Sequence, residues 1–438
     1  MENQDWGLAA LLGSIHFIFH LFIRLLPPLI PILTVALGYP LWKLGLLMSG
    51  YFAGSSIGLL PMGVLSDRYD RRMTLSTALS VVGAGYVLFV FAPGLGAGIP
   101  ARTVAGYTLD GPFLVMAVAM VVSGLGSSAH IPVGVPLLTT NVSTESRGKA
   151  LGIWGGSSKL GDAAGPALVG LLIVSFGWQS ILLGFGVLGV IGGLALFVTL
   201  TITDIETRPV VDQNSTETGA TEDTSYLADR RQYLYPLIVL MGYFAAYNIV
   251  VQGTVTFVPT FITDVYGYTL QAGGTSFSPE SFADFALSVL LIAAAVSRFV
   301  GGVMVDRYEH RVVLFSTLVL AAVALFAFSM YQLGPLMLLA VLVVFGIGLW
   351  GNSPARDSLI SDMTPDEREG RTFSYLWTAS RVFGALSPAF IGFLAESAGI
   401  RRGFLYLSVG AVVAALFVAL LFSDRVYHSG DPPVLTGD

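Results

Sequence analysis

The chain has no cysteine and few charged residues. None of its 438 residues is cysteine, which excludes disulfide bonds and thiolate metal sites. Charged residues make up 11% of the sequence, whereas a soluble domain carries about 25%. Hydrophobic residues make up 54%, and the mean hydropathy is +0.75. These values exclude an ordinary soluble domain and indicate a chain that lies in a membrane.

Acidic residues outnumber basic ones. The formal net charge is −6 and the isoelectric point is near 5.4, which gives no support for nucleic-acid binding. We find no nucleophile elbow, no phosphate-binding glycine loop and no zinc-ligand spacing, so the sequence predicts no enzyme, no cofactor and no metal. The segment 1–6 contains Glu2 and Asp5 but no basic residue, which is not typical of a cleaved signal peptide.

Twelve apolar stretches are each long enough to cross a bilayer, which takes roughly 20 residues. We predict spans at 7–37, 42–65, 73–93, 112–139, 149–174, 180–202, 235–262, 282–304, 312–333, 335–360, 371–396 and 403–423. A polar, acidic segment divides them six and six. The sequence therefore predicts an all-α membrane protein with an N-terminal six-helix bundle over 1–201, a cytoplasmic linker over 202–234, and a C-terminal six-helix bundle with a short cytoplasmic tail over 235–438.

The distribution of basic residues predicts the orientation, because Lys and Arg are retained on the cytoplasmic side. With both termini in the cytoplasm, most cations between the spans fall inside and only four fall outside: Lys43, Arg102, Arg401 and Arg402. We therefore expect a multi-pass monomer in the lipid bilayer of the plasma membrane. Five further cations lie within the predicted spans, at Arg24, Lys159, Arg298, Arg356 and Arg381.

Two sequence segments recur, which indicates that the two halves are repeats. GVLSDRYDRR at 63–72 matches GVMVDRYEHR at 302–311. The segment that starts at Ser146 matches a second one near Arg368 with a constant offset of 222 residues, and this alignment places Lys159 on Arg381. By helical rise both cations lie ~15 Å from the cytoplasmic end of their spans, near the midplane. The pseudo-twofold of such repeats predicts that they flank one central site.

The repeated charged turn resembles the G-x-L-x-D-R-x-G-R-R pattern of the major facilitator superfamily of secondary transporters. The resemblance covers nearly the whole chain outside the linker and implies two pseudo-symmetric six-helix halves that alternate access to a central site. Asp70 and Glu309 stand where the pattern has glycine. The resemblance also implies a cytoplasmic gate at the residues of the two turns: Gly63, Asp67, Arg68, Arg71, Arg72, Gly302, Asp306, Arg307 and Arg311.

Physical arguments give the turn residues individual roles. We expect Gly63 to permit close helix packing and Asp67 and Asp306 to face the N-terminal end of a neighbouring helix. The arginines would hold those aspartates in a charge-assisted network. The alternative is that each turn only anchors its loop at the lipid headgroups. We also expect Arg298, Arg356 and Asp357, near the predicted cytoplasmic ends of their spans, to serve the gate or anchor the interface, with substrate contact as the alternative.

The fifth predicted span resembles the antiporter signature G-x8-G-x3-G-P-x2-G-G. Its residues are Gly152, Gly161, Gly165, Pro166 and Gly170, with Val169 in place of one closing glycine. Glycines at this spacing predict a groove for close packing, and the proline predicts a bend. The resemblance implies antiport or export, although membrane helices are rich in glycine in any case.

Ionisable side chains at bilayer depth are costly and usually face a cavity. We predict that the basic groups Lys159 and Arg381 bind a carboxylate, phosphonate or phosphate. The further predicted substrate contacts are His130, Arg24, Tyr247, Asn248 and Trp377; for the aromatic ones the alternative is core packing.

The proton-coupling residues are predicted at His16, His20 and Asp162. His16, His20 and Arg24 are spaced by four and share one helical face, and Pro27, Pro28 and Pro31 predict that this helix is bent or broken beyond them. Asp162 lies three residues after Lys159, within reach of an ion pair. That pair is either a structural neutralisation or a switch in which protonating Asp162 frees Lys159. The first span also resembles fosmidomycin-resistance-type exporters, which often have an acidic residue where this chain has His20.

These patterns predict a secondary transporter that exchanges an anionic or amphipathic organic solute for protons. Its expected partners are a small-molecule substrate and protons. The first alternative is proton- or anion-coupled uptake or exchange of an organic anion. An alternative of another class is a transporter-like membrane receptor that binds a solute without moving it.

Overall fold

The structure is a computed structural model that describes residues 3–203, 205–208, 226–272, 274–363 and 369–422. Most of the predicted linker and the predicted tail after residue 422 lie outside the described residues. The helices of the first half are α1 (Asn3–Ile23), α2 (Leu26–Leu37), α3 (Leu41–Arg68), α4 (Arg71–Leu95), α5 (Gly111–Ser127), α6 (His130–Asn141), α7 (Arg147–Leu172) and α8 (Trp178–Ile202).

In its described residues, the second half has seven α-helices, because its first span is a single helix. Its helices are α9 (Tyr226–Phe261), α10 (Pro279–Val305), α11 (His310–Met330), α12 (Pro335–Trp350), α13 (Ser353–Asp362), α14 (Glu369–Ala398) and α15 (Ile400–Leu420). Across the described residues, eleven helical stretches are long and apolar enough to cross a membrane, with α1–α2, α5–α6 and α12–α13 each counted as one stretch. The predicted all-α membrane fold is confirmed.

The one predicted span that is not among these eleven is the fifth, α7, which is long enough to cross a bilayer but less apolar than the others. Its 26 residues include Arg147, Lys149, Lys159 and Asp162, and charged groups of this kind are rare inside membrane helices unless they serve function. The helix runs without interruption through Pro166. These charged side chains account for the lower apolarity of α7.

The first predicted span is divided in two, as its prolines indicated. α1 ends at Ile23 and α2 begins at Leu26, with Pro27 and Pro28 in its first turn. Proline has no backbone N–H and cannot continue the hydrogen bonds of the preceding helix. The break leaves Arg24 at the junction between the two helices.

Two further breaks were not predicted, and they fall at equivalent places in the two repeats. The fourth predicted span is interrupted between Ser127 and His130, and the tenth between Trp350 and Ser353. The His130 ring nitrogen Nδ1 contacts the Ser127 carbonyl oxygen, and Asn352 Nδ2 donates to the Leu349 carbonyl at 3.0 Å. Each side chain thus contacts a carbonyl oxygen three residues earlier, at the helix end that the break leaves.

Short hairpins, also not predicted, lie in two of the connections. β1 (Arg102–Val104) pairs antiparallel with β2 (Tyr107–Leu109), and β3 (Leu270–Ala272) pairs with β4 (Thr275–Phe277). The first turn has positive φ at Ala105 (49°) and Gly106 (84°), the requirement of a tight two-residue hairpin. Ala-Gly lacks the Asn-Gly or Asp-Gly signal by which such turns are recognised in a sequence.

Asp110 ties the start of α5 to the start of α3. Its carboxylate accepts from the Phe113 amide at 3.0 Å, from the Tyr39 hydroxyl at 2.6 Å and from Lys43 Nζ at 3.0 Å. Burial alone would raise the pKa of the Asp110 carboxyl, but these hydrogen bonds and the nearby ammonium lower it below its ordinary value. The carboxylate therefore acts as an N-cap and as an ion-pair partner at once.

The chain packs as two compact units. The first unit comprises Met1–Val211, Val255–Ser288 and Pro388–Ser397, and the second comprises Asp212–Thr254, Val289–Ser387 and Ala398–Asp438. The first unit therefore takes in two segments from the second half of the sequence. Inside it, Ser49 Oγ accepts from the Ala389 amide at 3.0 Å, and Glu396 Oε2 accepts from the Leu41 amide at 3.0 Å. The predicted division at the linker stays a prediction.

Helix packing in the first unit depends on small residues at the crossing of α4 and α8. A Cβ built on Gly83 would overlap the Gly186 carbonyl oxygen and lie 2.6 Å from the Val190 amide nitrogen. Membrane helices approach this closely only where side chains are absent. In the second unit, α11 packs against α15 and α12, and the rings of Phe328 and Phe404 lie 5.6 Å apart.

Gly83→Ala should lower the midpoint of thermal unfolding in detergent, because overpacking a tight contact costs about 1–3 kcal/mol. Gly184→Ala on α8 is the matched control, since a Cβ there has no neighbour within 4 Å. Equal midpoints for the two variants would contradict this account of the crossing.

Candidate functional site

Glycines on α7 bring that helix against α1. A Cβ on Gly161 would overlap the Phe17 carbonyl oxygen, and one on Gly165 would lie 2.8 Å from Arg24 Cβ. Gly170, further along, faces α10. Gly152 has open space around it, so the expectation of close packing is wrong for that residue. The groove therefore covers only the second part of the motif.

Asp162 lies at the centre of this contact, with its side chain 4% exposed. Lys159 Nζ donates to Oδ2 at 2.7 Å, Arg24 Nε donates to Oδ1 at 3.0 Å, and His20 Nδ1 lies 3.1 Å from Oδ1. These four side chains form what we call the Asp162 network. The i,i+3 spacing indicated the pair with Lys159, whereas the contacts from α1 were not predicted.

The Asp162 network brings two cations to one carboxylate. Arg24 and Lys159 contribute the cations and Asp162 the anion. Lys159 keeps 22% of its side chain exposed, whereas the carboxylate is enclosed. Removing the charge of Asp162 would leave two nearby cations without their common partner, which is strongly unfavourable in a low-dielectric setting.

Three histidines adjoin this network and form what we call the histidine cluster: His16, His20 and His130. The His16 ring stacks on the Trp154 indole with centroids 4.0 Å apart and on His130 at 5.3 Å. His20 stands nearly perpendicular to His16 at 4.7 Å. The helical spacing predicted that His16 and His20 share a face. Their packing against His130 and Trp154 depends on how α1 sits against α6 and α7.

Oxygen acceptors orient the rings of the histidine cluster. His16 Nδ1 lies 2.8 Å from the Trp154 carbonyl oxygen, His20 Nδ1 contacts the Asp162 carboxylate, and His130 Nδ1 contacts the Ser127 carbonyl. Because these oxygens only accept, each neutral ring donates from Nδ1 and keeps its lone pair on Nε2. His16 Nε2 is buried with no hydrogen-bond partner. The cluster can therefore accept a proton at Nε2.

A metal ion would require the histidine rings to move. One ring nitrogen from each of the three histidines lies within 4.8 Å of the other two. Two nitrogens bound to one zinc ion at about 2.1 Å can be at most about 4.2 Å apart. The cluster as placed therefore suits protons better than a metal.

In the second unit, Arg381 on α14 is half-buried. Among the residues that the structure describes there, no acidic side chain forms an ion pair with it. Gly384, one turn later, faces Asn248 and Gln252 of α9, with 3.8 Å and 3.5 Å from its Cβ position to their side chains. Asn248 Nδ2 donates to the Phe244 carbonyl at 2.8 Å. The Arg381 cation on α14 and the amide side chains of Asn248 and Gln252 on α9 thus lie on adjoining turns of the two helices.

Arg356 joins the aromatic residues of the same unit. It is buried, its guanidinium pairs with Asp357 at 2.8 Å, and it lies 5.3 Å and 5.1 Å from the ring centres of Phe244 and Trp377. Trp377 remains 41% exposed, so much of its surface is open. Tyr247 is buried and donates to the Leu349 carbonyl at 2.9 Å. Arg298 is exposed and has no ion-pair partner among the described residues.

The sequence matches one protein family along almost its entire length. Residues 12–279 and 274–436 match the sequence profile of the Major Facilitator Superfamily. The chain belongs to this superfamily. It is therefore a membrane transporter by family, and nothing in the match suggests an enzyme.

Relatives within the superfamily carry different solutes. The chain is 23% identical over 391 residues to the hexuronate transporter of Bacillus subtilis, covering 87% of this chain and 85% of that protein. It is 26% identical over 392 residues to the citrate-proton symporter of Klebsiella pneumoniae, with 84% and 79% covered. It is also 25% identical over 293 residues to the multidrug efflux pump PmrA homologue of Lactococcus lactis, with 65% and 67% covered.

The fold is shared with solved transporters of the superfamily. A bacterial homologue of the human lysosomal transporter Spinster, in an inward-facing and occupied conformation, superposes with a TM-score of 0.76 at 16% identity, with 99% of each chain covered. This likeness shows the fold of a superfamily transporter. The finer resemblance to fosmidomycin-resistance-type exporters stays a prediction.

The charged turns of this superfamily member differ from the expected network. Asp70 pairs with Arg72 at 2.9 Å, and Glu309 pairs with Arg311. Asp67 and Asp306 are exposed and form no ion pair within the described part of the chain. The expectation that arginines hold these two aspartates is therefore wrong here, and the acids at the glycine position of the superfamily pattern take their place.

The last arginine of each turn anchors its own half. The Arg72 guanidinium lies 5.4 Å from the centre of the Phe197 ring on α8, and Arg311 lies 5.1 Å from Phe422, just after α15. Arg71 is buried and donates to the Ser66 carbonyl at 3.3 Å, whereas Arg68 and Arg307 are exposed. Arg72 and Arg311 thus each contact an aromatic ring of their own repeat, and the choice between a gate and headgroup anchoring stays open.

The backbone of the turns does not need glycine. Asp70 has φ −61° and Glu309 has φ −58°, values open to any residue. Asp70 also caps α4 by accepting from the Arg72 amide at 2.9 Å. A Cβ on Gly63 or Gly302 would meet nothing within 4 Å, so the expected close packing at Gly63 is wrong.

The sequence-based prediction missed one ionisable residue within the predicted eighth span. Asp284 on α10 is fully buried, and neither carboxylate oxygen has a hydrogen-bond partner. A single acidic residue in the apolar run SFADFALSVLL was the available signal, because charge at bilayer depth marks function by default.

Asp162→Asn should lower the thermal unfolding midpoint, since removing one partner of a buried ion pair costs about 3–5 kcal/mol. Adding Lys159→Met to this variant should recover part of the loss, because one unbalanced cation is then gone. Asp264→Asn, at an exposed position, is the matched control and should melt like the wild type. An Asp162→Asn midpoint equal to that of the control would contradict the network.

Proposed function

We propose that this superfamily transporter carries a small organic anion or amphipathic organic solute in exchange for protons, by alternating access. The observation that carries the proposal is the grouping of cations in the Asp162 network. The Asp162 network holds two cations and one carboxylate, and Arg381 has no acidic partner among the described residues. An anionic group is the ligand that balances such charge.

The names of two relatives support an organic anion. A hexuronate and citrate both carry carboxylates, and the second name also includes a proton. Carboxylates accept charge-assisted hydrogen bonds from ammonium and guanidinium groups, which are stronger than neutral ones. We assign Lys159 and Arg381 as the main substrate contacts, each supplied by one repeat.

The remaining substrate contacts fall around these two cations. Arg24 and His130 lie with Lys159 in the first unit, and Asn248 and Trp377 lie with Arg381 in the second. We assign Tyr247 a supporting role beside Asn248 and Trp377, because its hydroxyl already donates to a backbone carbonyl. Trp377 presents an exposed ring face on which an organic substrate can stack.

Proton coupling is assigned to His16, His20 and Asp162. Histidine titrates near neutral pH in water, and His16 Nε2 has a free lone pair. Protonating His20 would strengthen its contact with Asp162 and weaken the hold of Asp162 on Lys159, which would change the charge offered to the substrate.

Export is favoured by the partial antiporter motif and by the efflux pump among the relatives. Uptake is the second candidate, and the citrate-proton symporter supports it. We place the protein in the plasma membrane as a monomer with both termini in the cytoplasm, on the strength of the distribution of basic residues.

In proteoliposomes, Lys159→Gln and Arg381→Gln should each reduce counterflow of radiolabelled glucuronate or citrate by at least tenfold. A hydrogen bond to a charged group contributes about 1.5–3 kcal/mol, and 1.4 kcal/mol corresponds to tenfold in affinity. Lys149→Gln and Arg402→Gln, at exposed positions, are the matched controls.

A pH gradient imposed across the same vesicles tests the coupling and its direction. If the gradient accelerates anion flux in the direction opposite to proton flow, the result supports exchange. Acceleration in the same direction as proton flow supports symport. Binding without any counterflow would support the receptor alternative, and transport of cationic drugs alone would refute the anion proposal.

A further inference from the structure

Asp284 is a buried carboxyl that the histidine cluster and the Asp162 network do not use. It lies in the first turns of α10, within the first unit, and none of its surface is exposed. Neither Oδ1 nor Oδ2 has a hydrogen-bond partner. Asp162, by contrast, is equally enclosed but accepts from three side chains.

An ionised carboxylate in this position would have nothing to stabilise its charge. Transferring an isolated carboxylate from water to a medium of low dielectric constant costs tens of kcal/mol by Born solvation, and such groups become neutral instead. A protonated carboxyl is polar but uncharged, so its burial costs far less. The absence of donors around Asp284 therefore favours the form that carries a proton.

Within the described ranges, no basic side chain acts on Asp284. Glu280, one turn earlier on α10, is the charged group that acts on it, and its charge is also negative. Across the helix contact stands Gly170 of α7, which has no side chain. Ser288 donates to the backbone carbonyl of Asp284 at 3.1 Å and leaves its carboxyl untouched.

Contact with α7 encloses the carboxyl. A Cβ on Gly170 would lie 2.8 Å from Asp284 Cβ and 3.5 Å from Oδ2. The same helix carries Lys159 and Asp162, so a movement of α7 away from α10 would open Asp284 to water and also displace the Asp162 network. Water would stabilise the ionised carboxylate, whereas the closed contact does not.

We propose that Asp284 is a second proton-binding site, loaded while α7 packs against α10 and emptied when that contact opens. The step is a simple proton transfer: Asp284 takes one proton from water as a carboxyl and returns one to water as a carboxylate. This inference rests on proton-coupled transport as proposed above and adds a site on α10 to the groups assigned there.

Infrared spectroscopy of the purified protein tests the protonation directly and needs no substrate. At pH 7, where an ordinary aspartate is ionised, the wild type should show a carboxylic-acid C=O band that is lost in Asp284→Asn. Asp264→Asn, at an exposed position, should leave the band unchanged. Asp284→Ser is measured as a second variant, so that the test can still be made if Asp284→Asn does not fold. A band that persists in the Asp284 variants would overturn the proposal.

Transport then tests the use of this proton. With glucuronate or citrate as the probe, Asp284→Asn should keep counterflow at equal pH within twofold of the wild type and lose the acceleration by a pH gradient. An unchanged response to the gradient would overturn the coupling role. Absence of flux in the wild type would count against the proposed function, while the infrared band would still decide whether Asp284 holds a proton.

Discussion

The cost of charge at bilayer depth is the constraint on which the rest of this structure depends. Asp162 offsets this cost for two cations, because Arg24 from the end of α1 and Lys159 from the same helix as Asp162 both donate to its enclosed carboxylate. The contact requires α1 to lie directly on α7, and Gly161 and Gly165 permit that approach. Arg24 and His20, one helical turn apart, both contact the same oxygen of Asp162. The glycines of α7 and these charged side chains thus contribute to one contact between α1 and α7.

Much of the fold followed from the sequence, since the apolar length of the spans and the proline break in the first span are local properties. The Lys159–Asp162 pair is local as well, because both residues lie on one helix. The contacts of Asp162 with Arg24 and His20 depend on the rotation of α1 about its axis, which no periodicity in α1 alone determines. The breaks before His130 and Ser353 also escaped prediction, because short interruptions leave the apolar length of a span unchanged.

The charged turns show how a family pattern can mislead about contacts. The pattern marks Asp67 and Asp306, yet the ion pairs involve Asp70 and Glu309, the two positions where this chain departs from it. Each of these two acids lies two residues before the arginine with which it pairs. That arginine also contacts an aromatic ring on, or just after, the last helix of its half. Asp284 escaped prediction for a different reason, because no Lys or Arg lies within one helical turn of it in the sequence. Its carboxyl also has no hydrogen-bond partner among the described residues.

The central claim is that the cations grouped around Asp162, together with Arg381, select an organic anion. A thermal-shift assay on the purified wild type, with organic anions and cationic drugs compared at pH 5.5 and 8, tests it most directly. The account predicts that anions such as glucuronate or citrate raise the melting temperature, since a ligand that binds the folded state stabilises it by mass action. Stabilisation by cationic compounds alone would contradict it.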